Sequence, residues 1–387
     1  MNSFNIKVKN IGKRLILSLP KKVFTSLNIN KGDNLKILIK KGENECILFS
    51  KYNWLISLTK QCVISLNLHP GELINVTFEK IEKNSISNSL FDNGKIDLLF
   101  LIPNKTSKGN EIVIDEFEKD STKWLNIKSF HARGSSRQIK LRRFVDSYIL
   151  GSFLGQLQSE GTKSFNERLE FCNKSLEEHL DFVNYLNYIG IPKQKILAKI
   201  DFSKNIGDIK EKISEFEKIV GIEIKYISRS STDRNGYGFK TFVRSTIFAE
   251  LILSFMDILR KEITPNTIND YLTHFSDGFV SKVLNGDGTI YLINRGKNRI
   301  VQARLSIADG NYNYLKDYKE ILKRYRLKPH INRKWGFVRS YLNYETAKKL
   351  VNAGAFKNNP NHLKLLSFIH QFENLSVKNS ELATLGS

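Results

Sequence analysis

The sequence predicts an α+β chain: a small β-rich domain built from tandem repeats, then a larger unit whose two halves share an αββαββα plan. Three observations carry this expectation. A segment of the first eighty residues recurs 39 positions later. Two apolar helical runs, at 153–161 and 280–288, each stop at a carboxylate followed at once by glycine, and those acids, Glu160 and Asp287, lie 127 positions apart. Downstream of each run, strand and helix patterns match in order.

The first element is the repeat. Ser18-Leu-Pro-Lys-Lys-Val-Phe-Thr-Ser-Leu-Asn-Ile-Asn-Lys-Gly32-Asp33 reappears as Ser57-Leu-Thr-Lys-Gln-Cys-Val-Ile-Ser-Leu-Asn-Leu-His-Pro-Gly71-Glu72. Each copy reads as a strand, a short helix, a turn at glycine plus an acid, and an alternating strand, Leu35–Ile39 or Ile74–Phe78. One copy is too small to bury its own apolar face, so the two should fold as an intramolecular pair. The strand, Pro-Lys, short helix and Gly-Asp pattern resembles the AbrB-type swapped-hairpin DNA-binding family over residues 5–83. The second copy has Thr59 for the proline and Glu72 for the acid. The resemblance implies a DNA-binding or pseudo-dimer domain at 1–83. Residues 1–85 hold 14 basic and 6 acidic side chains, which suits a phosphate-facing surface.

Residues 84–139 read as a linker and connecting segment, with 84–95 the linker proper and Ile96–Ile102 a strand closed by Pro103. No function is assigned to 96–130. His131–Arg143 is densely basic and leads into the first apolar helix.

That helix carries Gly151, Gly155 and Ser159 at every fourth position, a spacing that lets another backbone approach closely. The second keeps Gly278 and Gly286 but has Lys282 where a small residue is expected; Lys282 either snorkels to the helix edge or reaches a metal cluster. A carboxylate in the last turn faces the negative end of the helix dipole, an unfavourable place for an anion unless a cation sits there. Downstream, Arg168–Asn173 and the helix 176–188 match Arg304–Asp309 and the helix 313–325. Phe242-Val-Arg-Ser245 matches Phe337-Val-Arg-Ser340. Asp208–Val220 reads as an inserted amphipathic helix and 359–374 as a last helix. The repeats then span 140–262 and 263–375, with a frayed tail at 376–387.

This paired arrangement resembles the LAGLIDADG homing endonuclease family, with both copies in one chain, over residues 140–355. The resemblance implies antiparallel saddle sheets lying in adjacent major grooves of double-stranded DNA, on a monomer with internal pseudo-two-fold symmetry. It implies a site-specific double-strand endonuclease of the intron-homing kind. Glu160 and Asp287, with backbone carbonyls at Ser159 and Gly286, would hold Mg2+ or Mn2+. Lys240 and Lys334 would flank the metals; each precedes its Phe-Val-Arg-Ser strand, by two residues in one half and three in the other. Lys163, Arg168, Arg234, Arg295, Lys297, Arg299, Gln302, Arg304 and Arg333 would contact DNA. A non-cleaving transcription regulator and an RNA intron maturase are the alternative readings of the same fold.

Bulk properties agree. The chain has 387 residues, enough for two or three domains, and 41% of them are hydrophobic. Lys and Arg number 61 against 39 Asp and Glu, a net charge of +22 that favours a polyanionic partner. The expected partner is nucleic acid; no amphipathic basic helix or lipidation motif points to a membrane. No run of eighteen apolar residues and no secretory h-region stands out, so a cytoplasmic, nucleoid-associated protein is expected. Cys46, Cys62 and Cys172 lack finger or disulfide-framework spacing and read as reduced core residues. The seven histidines lack ligand spacing.

Overall fold

The computed structural model describes residues 3–11, 14–18, 25, 29, 34–51, 55–58, 60–81, 90–91, 94–130, 136–161, 168–203, 209–230, 236–262, 270–295, 299–357 and 359–384. Their apolar residues gather into two separate cores, one within residues 6–78 and one within 96–369.

The first core belongs to β1 (Ser3–Ile11), β2 (Arg14–Ser18), β3 (Asn34–Lys41), β4 (Asn44–Lys51), β5 (Leu55–Ser57), α1 (Lys60–Ser65) and β6 (Leu73–Ile81). The strands form one antiparallel sheet in the order β4-β3-β6-β1-β2-β5. Alternation fixes which side is buried: Leu35, Ile37 and Ile39 on β3, and Ile74, Val76 and Phe78 on β6, all point into the core. The registers are reciprocal. Ile37 faces Phe78 while Ile39 faces Val76, the pair obtained by exchanging the repeats. Likewise Ile16 faces Ser57 and Ser18 faces Leu55, about the central pair Leu17–Ile56. At the second Gly-acid turn, Gly71 takes φ +95° and Glu72 accepts from His69 N at 3.0 Å and Lys41 Nζ at 2.9 Å. The helix expected in the first copy lies outside the described residues, apart from Thr25.

The connecting segment is folded. It comprises β7 (Leu90–Phe91), β8 (Lys95–Asp97), β9 (Ile112–Lys119), β10 (Thr122–Phe130), β11 (Ser136–Arg142) and β12 (Phe144–Asp146), in two three-stranded sheets. The strand expected over Ile96–Ile102 stops at Asp97, whose side chain accepts from Leu99 N and starts a 3-10 turn. Arg143 ties the segment together, donating to Asp97 at 2.7 and 2.9 Å and to Glu116 at 2.6 Å. Ile96, Leu98, Leu101, Leu125, Ile127 and Leu141 all enter the larger core.

The rest of that core is built from two similar halves. The first comprises α2 (Ser147–Glu160), β13 (Leu169–Asn173), α3 (Leu176–Ile189), β14 (Ile196–Ser203), α4 (Lys210–Val220), β15 (Ile224–Ser230), β16 (Tyr237–Val243) and α5 (Thr246–Glu262). The second comprises α6 (Asp270–Asp287), β17 (Gly288–Arg295), β18 (Arg299–Ala308), α7 (Tyr312–Arg324), β19 (His330–Asn332), β20 (Phe337–Leu342), α8 (Tyr344–Asn352) and α9 (Asn361–Thr384). The sheets run β13-β16-β14-β15 and β17-β18-β20-β19. Gly161 bridges Phe171, and Gly288 pairs with Ile307 at the matching point of the second sheet.

Three expectations change. The insertion at Lys210–Val220 brings a strand with it, so β14, α4 and β15 form a parallel crossover. The two Phe-Val-Arg-Ser segments do not superpose in register. Phe171 faces Thr241 and Ile307 faces Val338, so Phe242 corresponds to Arg339 rather than Phe337. A slip of two residues leaves every side chain on its face, which is why the pattern conceals it. The last helix, expected to end at 374, continues to Thr384, into the expected tail.

The halves meet where α2 crosses α6. A Cβ on Gly151 would lie 2.1 Å from Phe275 O, and one on Gly278 would lie 2.2 Å from Tyr148 O. Those two contacts are related by the same offset of 127 that separates the acids. A Cβ on Gly155 would lie 2.3 Å from Phe279 O. Gly155→Ala is therefore expected to cost about 3 kcal/mol or more, because backbone cannot yield as a side chain can. Gly42→Ala, at a turn with φ +61° and open space, should cost only about 1 kcal/mol. Urea unfolding of both variants measures the contrast.

A buried polar group sits in the first half. His179 Nε2 lies 3.1 Å from Asn173 O and Nδ1 lies 2.7 Å from Thr241 Oγ1. A carbonyl only accepts, so Nε2 carries the proton and Nδ1 accepts from the hydroxyl. Burial pushes this imidazole down to about 4, with the backbone at Asn173 and Phe239 opposing. Its unfolded value is about 6.5, so only the unfolded chain gains a proton between those values. This contribution is intact above about pH 6.5 and is lost as the pH falls toward 4. Unfolding midpoints taken across that window should decline, and His179→Leu, though weaker at pH 7, should remove this part of the decline.

Candidate functional site at the helix crossing

The crossing sets the geometry of the two acids. α2 ends at Glu160 and α6 at Asp287. A Cβ on Gly286 would lie 2.6 Å from Ser159 Oγ and 3.2 Å from Glu160 Cγ, so the two helix ends touch one residue before Asp287. Ser159 and Gly286 are themselves related by the offset of 127. Each following glycine is also required: a Cβ on Gly161 would lie 2.4 Å from Leu157 O, and one on Gly288 would lie 2.5 Å from Leu284 O. Both halves thus leave their motif helices by the same tight turn. Glu160, Gly286 and Asp287 are half-buried. The second turn is clasped by the start of α9: Asn359 donates to Asn285 O at 3.0 Å and Asn361 to Gly288 O at 3.3 Å.

Lys282 takes neither of its expected positions. Its ammonium crosses to α3, 2.9 Å from Glu178 Oε2 and 2.6 Å from Asp181 Oδ2. Glu178 also accepts from Gln156 at 2.7 Å and from Asn285 at 3.1 Å, so side chains of both motif helices converge on it. Burial disfavours this ammonium, but Tyr185, Glu178 and Asp181 outweigh it and raise its pKa. Glu178 and Asp181 did not stand out in the sequence. Their spacing of three on one helix face, with Lys282 at a small-residue position, was the available signal.

Beside the second acid, Tyr318 donates to Asp309 Oδ2 at 3.2 Å. Burial first, then Asp309 and Asp287, push this phenol well above its usual range. Asn173 and Phe182 hold the corresponding places in the first half.

The sheets turn a second face away from the core. In the first half it carries Glu170, Cys172, Lys240, Phe242, Lys199 and Asp201, aligned across β13, β16 and β14. Arg168 pairs with Glu170 at 2.8 Å and lies over the Phe242 ring. Lys240 pairs with Asp201 at 3.0 Å and Glu170 at 3.5 Å, and Lys199 with Asp201 at 2.8 Å. Burial opposes the Lys240 ammonium, but Asp201 and Glu170 outweigh it and raise its pKa, so this lysine is a fixed cation rather than a base. It lies two strands from Gly161, roughly 10 Å at ordinary strand spacing. Lys334 instead sits in the exposed turn between β19 and β20, 5.6 Å from the Trp335 ring centroid. The two lysines are not equivalent in the fold.

In the second half this face carries Thr289, Tyr291, Gln302, Arg304, Ser306, Arg339 and Tyr341. Arg304 donates to Tyr341 Oη at 3.0 Å with its guanidinium over that ring. Arg333 lies 3.9 Å from the Tyr312 ring centroid in the same turn as Lys334. Arg295 and Arg299 are paired at the outer end of the β17–β18 hairpin. Lys163, Arg234 and Lys297 lie outside the described residues.

Carboxylate and backbone carbonyl oxygens, the atoms these two helix ends offer, are hard donors of the kind that suits Mg2+ or Mn2+ better than a softer ion. Among the described residues no group of three or more His, Cys, Asp and Glu could hold a metal. None of the three cysteines forms a disulfide among the described residues; Cys62 is buried and the others are half-buried. No helix among the described residues is long and apolar enough to cross a membrane.

Comparison with known proteins gives little. No protein-family model matches the chain, and no curated protein matches it. Among solved structures, a point mutant of the homing endonuclease I-SmaMI aligns over 59% of this chain and 96% of its own, at 9% identity and a TM-score of 0.27. A likeness of that size carries no argument about fold or activity.

The Lys282 contacts lead to an energetic expectation. Lys282→Met strands two acids, one of them buried, and should cost about 3 kcal/mol or more. Adding Glu178→Gln should restore much of the loss, as a double-mutant cycle in urea would measure.

Proposed function

We propose that this chain is a DNA-binding phosphodiesterase of the LAGLIDADG type, a site-specific double-strand endonuclease acting with a divalent metal. One observation carries the reading: two carboxylate-glycine helix ends meet at a glycine-stepped crossing, with Glu160 Cγ 3.2 Å from the Cβ position of Gly286 and Asp287 the next residue. A shared cation would offset anions placed at the negative ends of two adjoining helices. Glu160 and Asp287, with the carbonyls of Ser159 and Gly286, would hold the ions. A bound divalent ion would polarise a phosphoryl oxygen and lower the pKa of an attacking water.

The chain's own part is positional. The crossing brings the two helix ends together, and the sheets offer basic and aromatic side chains on faces of a kind that fits the major groove. The net charge of +22 supports a polyanionic partner. Residues 1–83 would add a DNA-holding module ahead of halves at 140–262 and 263–375, and an intron-homing role would follow from cleavage at one long site.

A non-cleaving DNA-binding regulator is the second reading. What favours it is that Lys240 is held by Asp201 and Glu170 while Lys334 occupies a turn, so these two lysines do not form a matched pair beside the acids. Incubating the chain with a duplex library and Mg2+ separates the two. We expect double-strand cuts that disappear in Glu160→Gln and Asp287→Asn while duplex binding survives. Binding without cuts in Mg2+ or Mn2+ would select the regulator, and cutting undiminished in Asp287→Asn would remove that acid from the centre.

A further inference from the structure

We propose that the two sheet faces divide the work unequally: the second half carries the phosphate contacts, while the cations of the first are held by its own carboxylates. This rests on the DNA-binding reading above and deepens it. On the first face, Arg168, Lys240 and Lys199 are closed into one lattice with Glu170 and Asp201, at 2.8, 3.5, 3.0 and 2.8 Å along the chain of contacts. Glu170 is 4% exposed, so its charge is held under those cations and cannot swing away to release them. Arg244, outside that lattice, lies over the Tyr226 and Phe242 rings. The second face has no such lattice. Arg304 and Arg339 on it, and Arg333 and Lys334 in the adjoining β19–β20 turn, have no carboxylate partner among the described residues, and each packs over an aromatic ring.

The physical difference concerns what a phosphate must displace. A cation already paired with a buried carboxylate has few condensed counterions to release from DNA, because the paired acid repels the incoming phosphate. A cation resting on a ring keeps its full charge and is held in place at low entropic cost. Tyr291 at 50%, Tyr341 at 54% and Trp335 at 68% exposure also present rings beside those cations, as a surface that stacks on bases or sugars would. The sheet position of Glu170 corresponds to Ser306 in the second half, and that of Lys240 to Phe337, so the lattice has no counterpart there.

The test is the salt dependence of duplex binding by the full chain, measured with a fixed duplex between about 50 and 200 mM salt. Each phosphate contact contributes about 0.9 to the slope of log affinity against log salt. Arg304→Ala/Arg339→Ala should flatten the slope by about 2, and Arg304→Lys/Arg339→Lys should restore most of it, which a folding defect would not. Glu170→Gln/Asp201→Asn should steepen the slope by about 2, as the first face acquires working cations. An unchanged slope in Glu170→Gln/Asp201→Asn, or an unchanged one in Arg304→Ala/Arg339→Ala, overturns the division of labour. A wild-type chain whose duplex binding ignores salt would sink the DNA-binding reading itself, a separate result.

Discussion

Close backbone contact between α2 and α6 is the constraint on which the rest of the larger unit depends. Gly151, Gly155 and Gly278 each face a carbonyl of the opposing helix where any side chain would collide. Only glycine allows two helices to approach so closely, and only that approach brings Glu160 and the Gly286-Asp287 end into contact. The core then forms around the crossing, with Phe153, Leu154 and Leu157 from one helix and Phe279, Val280 and Val283 from the other. The sheets hang from the helix ends through Gly161 and Gly288, so the position of each outer face follows from the same seam.

The polar chemistry is less symmetric than the backbone. One motif helix places glycine where the other places Lys282, and that lysine needs Glu178 and Asp181 from the facing half. Tyr318 reaches Asp309 in one half, while Phe182 stacks on Phe153 and Phe171 in the other. The first sheet carries an ionic lattice and an added parallel strand; the second carries Arg304 and Arg339 over aromatic rings with no such lattice among the described residues. A shared scaffold thus holds two differently equipped surroundings.

Much of this was legible from residue spacing. Glycine at every fourth position predicted a close helix pair, and the Leu35–Ile39 and Ile74–Phe78 alternations predicted strands, because both signals are local. The less legible parts depend on tertiary partners. The two-residue slip between the Phe-Val-Arg-Ser segments cannot be read from a pattern of period two. The strand Ile224–Ser230 follows a turn after the inserted helix and pairs only through a crossover. The counter-ions of Lys282 lie more than a hundred positions away, where nothing in the local sequence marks an acid as buried. The contacts of Lys240 became visible only once β13, β14 and β16 were aligned.

The Lys282–Glu178 contact also makes the two halves non-interchangeable. A symmetric assembly of two first halves would bury two Glu178 carboxylates with glycine in place of the lysine, leaving uncompensated charge that costs several kcal/mol. Two second halves would meet the lysine with Tyr314 where Glu178 now stands. The Lys282–Glu178 contact therefore ties two unlike halves together, and neither half paired with a copy of itself would reproduce it.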